Sequence, residues 1–168
     1  FTGKAIILTG PRQVGKTTLI REMIANEDFL FLDGDDITVR NILSDINTEK
    51  LKLLIRDKKI VFIDESQRIE NIGLTAKIIV DQIKATQLIL SGSSSFDIHE
   101  KISESLTGRK WTFNLWPISW AEWITHVGYL AAEQSLDNRL IFGFYPDILN
   151  FPEDQETIIS ELVSSYLF

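Results

Sequence analysis

The chain has 168 residues, of which 44% are hydrophobic, so it is long enough to fold as one compact domain with a full core. It contains no cysteine, which excludes disulfides and thiolate metal sites, leaves oxygen atoms as the expected metal ligands and is compatible with a cytoplasmic location. The net charge of -7 argues against binding nucleic acid by bulk electrostatics, and no apolar stretch approaches the roughly 20 residues of a membrane span, so we expect a soluble protein.

The first predicted elements alternate between strand and helix. Residues 5–8 form an apolar run that ends in a glycine turn, and residues 15–26 follow with helical character. A second apolar run, residues 29–32, ends in an acidic turn, after which the spacing of apolar residues predicts one helix over 43–56. We interpret this pair as a second β/α step.

The same alternation continues along the chain. Residues 60–63 are an apolar run typical of a strand covered on both faces, and residues 73–84 after them have helical spacing. Residues 86–90 repeat the strand pattern and predict a fourth buried strand. A fifth strand is predicted over 110–115. Alternating strands and helices predict an α/β fold with a parallel sheet.

The periodicity becomes helical after Pro117, which indicates a small helical lid. We therefore expect a core over residues 1–118 and a lid over residues 119–168, a boundary that rests on the change of period alone. The lid helices are predicted over 119–127, 131–141 and 153–167.

A glycine-rich motif lies between the first predicted strand and helix. Residues 10–17, GPRQVGKT, match G-x-x-x-x-G-K-[ST] in full and in the expected strand–loop–helix setting, which an ordinary glycine turn rarely satisfies. Backbone N–H groups in such a loop surround phosphate oxygens; Lys16 is expected at the β- and γ-phosphates and Thr17 at Mg²⁺. Thr18 either bonds the α-phosphate or serves only the helix. The expected nucleotide-binding residues are Gly10, Pro11, Arg12, Gln13, Val14, Gly15, Lys16, Thr17 and Thr18.

Two carboxylates follow the strand predicted over 60–63. Asp64 is expected to hold Mg²⁺ as a Walker B aspartate, and Glu65 is expected to direct or deprotonate the water that attacks the γ-phosphate. The alternatives are a plain helix cap for Asp64 and a surface carboxylate for Glu65. The acidic turn over 33–36 is interpreted as caps.

Three further residues are candidates for contact with phosphate. Ser91 and Ser93 follow the fourth predicted strand, where a hydroxyl can sense the γ-phosphate, although a serine-rich loop is often only a loop. Arg109 precedes the fifth strand and is a candidate for phosphate contact in its own subunit or a neighbouring one, or is merely a solvated charge.

The tryptophans and histidines favour structural roles. The four tryptophans crowd the join between sheet and lid and are interpreted as packing residues rather than as a base-stacking platform. His99 and His126 have no second ligand at metal spacing, so we expect both to be structural or exposed.

Taken together, the motifs of this chain resemble a family of bacterial and archaeal AAA-type ATPases, ATP-binding proteins whose core precedes a carboxy-terminal domain of unknown function. The resemblance covers nearly the whole chain. It is carried by GPRQVGKTTL at 10–19, VFIDE at 61–65, LSGSSS at 90–95, LTGR at 106–109, LWPISWAEW at 115–123 and GFYPDIL at 143–149.

The resemblance implies a three-layer αβα P-loop fold of the ASCE type, with a five-stranded parallel sheet in the order 5-1-4-3-2 and Glu65 placed to activate water. It also implies ATP and Mg²⁺ as ligands. Because the chain opens on Phe1 and stops at Phe168 inside a helical pattern, we expect a longer protein with a partner or effector region beyond residue 168, and possible homo-oligomers.

Two functions follow from these residues. The first is Mg²⁺-dependent hydrolysis of ATP; the alternative is an ATP-gated binding or regulatory module that hydrolyses slowly. A GTPase is disfavoured because no N-K-x-D motif for guanine is present, and a kinase is disfavoured because Asp64 and Glu65 fit water activation better than acceptor recognition.

Overall fold

The structure is a computed structural model that describes residues 3–45, 47–93, 101–102 and 104–167, with the backbone alone at 165–167. The chain divides into two compact units. The first comprises the residues up to Gly10 and Lys16–Leu115; the second comprises Pro11–Gly15 and the residues from Trp116 onward.

The first unit is built on a five-stranded sheet in which every pairing is parallel. The order β2-β3-β4-β1-β5 is the predicted 5-1-4-3-2 read from the other edge, so the predicted fold class is confirmed. The strands are β1 (Ala5–Thr9), β2 (Phe29–Asp33), β3 (Ile60–Asp64), β4 (Gln87–Gly92) and β5 (Lys110–Asn114).

Helices cover both faces of this sheet. Successive strand residues alternate between two hydrophobic clusters: Val61 and Ile63 belong to one, and Phe62 belongs to the other with Ile20 and Ile24. Burial on both faces explains why β3 is a continuous apolar run up to Asp64, whereas β5 is largely exposed and is not such a run. The helices are α1 (Lys16–Met23), α2 (Ile37–Ser44), α3 (Thr48–Ile55) and α4 (Ile72–Gln82), with a short 3₁₀ helix at Ser66–Arg68.

The single helix predicted over 43–56 was wrong, because the structure has the two helices α2 and α3 there. The Asn47 side chain accepts from the N–H of Lys50 at 3.0 Å and so caps the N-terminus of α3, which makes α3 a separate helix. In the acidic turn, Asp36 caps α2 by accepting from the N–H of Thr38 at 2.7 Å, as the cap interpretation expected.

The second unit contains helices α5 to α9. The helix predicted over 131–141 is divided at Ser135, and a helix that begins at Pro146 was not predicted. Gly128 and Gly143 end helices with φ of 86° and 77°, a conformation that favours glycine. The helices are α5 (Trp120–Val127), α6 (Tyr129–Gln134), α7 (Leu136–Phe142), α8 (Pro146–Asn150) and α9 (Gln155–Leu167).

Two of the four tryptophans, Trp120 and Trp123, pack as expected, whereas Trp111 and Trp116 are 47% and 68% exposed, which contradicts the packing interpretation for those two. The Trp123 indole N–H donates to the Ser135 hydroxyl at 3.0 Å, and Trp120 contacts Phe144 edge-on with ring centroids 6.1 Å apart. The rings of His126 and Trp123 have centroids 5.9 Å apart, whereas His99 lies outside the described residues. Among the described residues, no helix has both the length and the apolar character needed to cross a bilayer.

A capping box fixes the start of α5. The Ser119 hydroxyl accepts from the N–H of Glu122, and the Glu122 carboxylate accepts from the N–H of Ser119 at 2.8 Å. Hydrogen bonds from the Ser119 backbone and then its hydroxyl lower the pKa of Glu122. Because the pKa of Glu122 is lower in the folded state, its carboxylate stabilises the fold at pH values above the unfolded pKa. This stabilisation is lost as the pH falls through the folded pKa.

We predict that Ser119→Ala speeds amide hydrogen exchange in the first turn of α5, because the helix loses its cap. The matched control is Thr125→Ala, which removes a hydroxyl bonded to Ala121 within the same helix but leaves the cap intact. Equal exchange in the two variants would contradict the prediction.

A second prediction concerns the carboxylate of Glu122. Amides in the first turn of α5 should exchange more slowly in wild type than in Glu122→Ala, and this difference should vanish as the pH falls through the folded pKa of Glu122.

Candidate functional site

The carboxyl ends of three neighbouring strands carry the candidate residues. In the order β3-β4-β1, Asp64 ends β3, Ser91 lies near the end of β4, and Gly10 follows β1. In parallel α/β sheets, ligands bind at this edge. The sheet therefore brings the aspartate, the serine and the first glycine of the loop together.

The loop over residues 11–15 has a local backbone geometry suited to converging N–H groups. Gln13 and Gly15 have positive φ, 62° and 92°, and α1 begins directly afterwards at Lys16. Alternation of right- and left-handed residues turns successive N–H groups toward one concave side. A non-glycine residue such as Gln13 in this conformation is uncommon and points to a functional loop.

Glycine is the one residue type that fits at position 10. A Cβ built on Gly10 would lie 2.1 Å from the carbonyl oxygen of Leu115, and the N–H of Leu115 is fixed by donating to Thr9 at 2.8 Å. The first glycine of the motif therefore permits a close approach of two backbone segments. The carbonyl of Gly10 in turn accepts from Lys16 Nζ at 2.9 Å.

Asp64 accepts hydrogen bonds from three directions. Thr17 Oγ1 donates to its Oδ2 at 2.6 Å, Ser91 Oγ donates to its Oδ1, and the N–H of Glu65 donates to the same Oδ1 at 3.0 Å. Asp64 is 7% exposed, so these donors replace water around the charge. It ends a strand and does not cap the helix that follows, which removes the cap alternative.

Glu65 is held by neighbouring side chains rather than solvated on an open surface. Its Oε2 accepts from Gln67 Nε2 at 2.5 Å and from Ser93 Oγ at 3.3 Å. Its backbone is left-handed, with φ 43° and ψ 40°, which a non-glycine residue adopts only where the surroundings impose it. This left-handed conformation turns the chain sharply between Asp64 and the 3₁₀ helix.

Two small residues support this turn, and sequence reasoning missed both. A Cβ on Gly34 would lie 2.5 Å from the carbonyl oxygen of Glu65, so the end of β2 passes too close for any other residue. Ser66 is 1% exposed and donates to the carbonyl of Ser91 at 2.9 Å. A glycine after a strand, opposite the D-E pair of the adjacent strand, was the available signal for Gly34.

The two candidate serines have different surroundings. Strand β4 runs to Gly92 rather than ending at residue 90 as predicted, so Ser91 lies inside the strand and is fully buried. Its hydroxyl is engaged with Asp64, whereas Ser93 lies beside Glu65 and Gln67. Residues 94 and 95 of the same predicted loop lie outside the described residues.

The expectation that Arg109 approaches phosphate in its own subunit needs correction. The carbonyl of Arg109 accepts from the N–H of Ala5 at the start of β1. Arg109 therefore lies at the amino ends of the strands, whereas Gly10 and Asp64 lie at their carboxyl ends. Five strand residues at about 3.3 Å each separate the two edges. Its guanidinium donates to Asp81 at 2.8 Å. A role across a subunit contact stays a prediction.

A family model described as an AAA domain matches residues 2–124, well over half of the sequence. The chain belongs to this AAA domain family. Membership, together with the fold, supports a nucleotide-binding, ATPase-like function.

Relatives that match this chain in sequence are longer proteins. An uncharacterised protein of Methanocaldococcus jannaschii is 27% identical over 180 residues, which cover 98% of this chain and 40% of the relative. Uncharacterised proteins of Mycobacterium bovis and Mycobacterium tuberculosis are each 32% identical over 105 residues, covering 62% of this chain and 23% of theirs. The chain thus spans less than half the length of these relatives.

A solved structure shares the fold. The Walker-type ATPase of Pyrococcus abyssi superposes with a TM-score of 0.66 over 99% of this chain and 70% of its own, at 13% identity. At this identity the match speaks for the architecture alone. The fold inferred from the resemblance of the motifs is therefore supported by an independent comparison of coordinates.

We predict that Ser91→Ala lowers the free energy of unfolding by about 1.5–3 kcal/mol, the usual contribution of a hydrogen bond to a charged group, because buried Asp64 loses a donor. Urea unfolding measures this. The control is Ser44→Ala, which loses a neutral bond to the Arg40 carbonyl and should cost about 1 kcal/mol or less. A Ser91 variant no less stable than the Ser44 variant would contradict the account of Asp64.

Proposed function

We propose that this AAA domain binds Mg·ATP and hydrolyses its γ-phosphate. The observation that carries the proposal is the 2.6 Å hydrogen bond from Thr17 to Asp64, which joins the phosphate-loop helix to the acidic end of β3. These are the two residues that hold Mg²⁺ in P-loop nucleotide hydrolases.

The oxygens of these residues fit Mg²⁺. A hydroxyl and a carboxylate are hard ligands, and Mg²⁺ commonly takes one or two protein oxygens and completes its shell with water and phosphate. When bound, the ion would neutralise charge on the phosphate oxygens.

Lys16 and the loop over 11–15 are the proposed phosphate ligands. Lys16 is 5% exposed, and its ammonium group donates to the carbonyl of Gly10, the first residue of the motif. The N-terminus of α1 adds its dipole and the N–H groups of its first turn to this positive charge. In this proposal Thr18, which is exposed in the first turn of α1, bonds the α-phosphate.

Glu65 is the proposed base, and Ser93 the proposed γ-phosphate sensor. The carboxylate accepts hydrogen bonds and follows Asp64 directly, so it can take a proton from water near the metal-bound phosphate. Ser93 lies beside the same Glu65 carboxylate, which is why it is the proposed sensor. The buried Ser91 instead donates to Asp64, and we assign it the role of supporting that residue. Arg109 is retained only as a candidate that acts on a neighbouring subunit in a homo-oligomer.

We further propose that ATP occupancy drives or gates the helical region and the partner or effector region beyond residue 168 of a longer, cytoplasmic protein. The supporting observation is that Pro11–Gly15 belong to the same compact unit as the residues from Trp116 onward. A loop that binds phosphate within that unit gives nucleotide a route to the predicted lid over 119–168. A slowly hydrolysing module would use the same route.

We predict that Glu65→Gln retains ATP binding but lowers turnover by about 10²–10⁴-fold, the range that general acid–base catalysis contributes. Phosphate release under saturating Mg·ATP measures turnover, and calorimetry measures binding. Glu70→Gln is the matched control, because it removes an exposed carboxylate from the same segment. Turnover of the Glu65 variant equal to that of the Glu70 variant would rule out Glu65 as the base and favour the slow-hydrolysing module.

We predict that Asp64→Asn raises the Mg²⁺ concentration for half-maximal turnover by about tenfold or more, since a charged ligand becomes neutral. The measurement is turnover against free Mg²⁺, with circular dichroism to verify folding. Asp36→Asn serves as the control because asparagine caps α2 as well as aspartate. An unchanged Mg²⁺ dependence in the Asp64 variant would remove this residue from the metal site.

A further inference from the structure

Gln67 lies in the short 3₁₀ helix after β3, and its amide joins two residues of the proposed site. Its Nε2 donates to Glu65 Oε2 at 2.5 Å and to Ser93 Oγ at 3.2 Å. Ser93 Oγ also lies 3.3 Å from the same oxygen of Glu65. The three side chains form a closed triangle of hydrogen bonds.

The backbone that carries Gln67 is fixed on two sides. The preceding residue, Ser66, is buried and donates to the carbonyl of Ser91 in β4, and Lys101 Nζ donates to the carbonyl of Gln67 itself. The next residue, Arg68, closes the turn by donating its N–H to the carbonyl of Glu65 at 3.0 Å. The amide of Gln67 is therefore presented to Glu65 from a rigid turn.

The chemistry of the partners fixes which way the amide faces. A carboxylate only accepts hydrogen bonds, so the NH₂ group of Gln67 must face Glu65. Its carbonyl oxygen, Oε1, is buried and has no hydrogen-bond partner among the residues that the structure describes. A buried acceptor in this state costs stability, which a leucine of similar size would avoid.

We propose that Gln67 is a positioning residue: its amide holds the Glu65 carboxylate beside Ser93, so that base and γ-phosphate sensor are fixed in one arrangement. The inference rests on the proposed roles of Glu65 and Ser93. Fixing a catalytic group in advance raises the rate of the chemical step rather than the affinity for substrate. The hydrogen bond that Glu65 loses without Gln67 is offset by removal of the buried Oε1, which is unpaired among the described residues. No net loss of stability is therefore expected, which separates this role from a structural one.

The test compares Gln67→Leu with wild type in steady-state hydrolysis of Mg·ATP. We expect kcat to fall by about 10- to 100-fold, the usual effect of losing a residue that orients a catalytic group, with KM and calorimetric ATP affinity unchanged. The melting temperature should equal or exceed that of wild type. Gln82→Leu is the control: its amide oxygen accepts from Thr48 on the surface, and its kcat should not change.

A double variant shows whether Gln67 acts through Glu65. If it does, Gln67→Leu added to Glu65→Gln lowers kcat no further, because the group that it positions is already gone. A multiplicative loss in the double variant, or a kcat for Gln67→Leu equal to or above wild type, overturns the inference.

Failure of the inference and failure of the proposed function have different signatures. If Glu65→Gln loses turnover while Gln67→Leu keeps it, Glu65 remains the base and only the role of Gln67 is wrong. If wild type shows no hydrolysis, or Glu65→Gln retains the full rate, the proposed function fails and the role of Gln67 fails with it.

Discussion

Asp64 carries a negative charge at the end of β3, where only a small fraction of its surface meets water. A buried carboxylate is tolerated when hydrogen-bond donors replace its hydration, and here they come from the hydroxyls of Thr17 and Ser91 and from the next backbone N–H. Each hydroxyl belongs to a different element, α1 or β4. The carboxylate thus connects the start of the phosphate-loop helix α1 to strands β3 and β4, and the rest of the site depends on that connection.

The chain must then turn away from Asp64 without moving it. Glu65 does this in a left-handed conformation, Gly34 leaves room for its carbonyl, and Ser66 anchors the turn to β4. Strain of this kind persists where the surroundings impose it, and it is commonly found at functional sites. The same turn places Gln67 where its amide meets the Glu65 carboxylate, so the support of the metal ligand and the position of the base share one short segment.

The motifs predicted much of this arrangement because their chemistry is local. The strand–loop–helix over the first residues, the apolar run before Asp64 and the parallel sheet all follow from patterns that burial and phosphate binding require. The strand order came from the resemblance to a family, because spacing alone does not tell which strands are neighbours. The family and the fold are confirmed, whereas the roles of individual residues stay predictions.

What the sequence did not show depends on distant neighbours or on fine local geometry. Gln67 becomes relevant only once the 3₁₀ turn brings it back to Glu65, and Asn47 divides a helix that apolar spacing alone would continue. Arg109 illustrates a different error: a residue that precedes a parallel strand lies at the amino edge, away from the phosphate loop. That rule follows from topology and was available before the structure.

The central claim is that Lys16, Thr17 and Asp64 form one site for a magnesium-bound nucleotide. It is tested most directly by titrating ATP into the chain by calorimetry, once with Mg²⁺ and once with EDTA, with Lys16→Ala in parallel and GTP as competitor. The account predicts saturable binding of ATP that weakens without Mg²⁺ and is lost in the Lys16 variant. Binding that is indifferent to both Mg²⁺ and Lys16, or no binding at all, would contradict it.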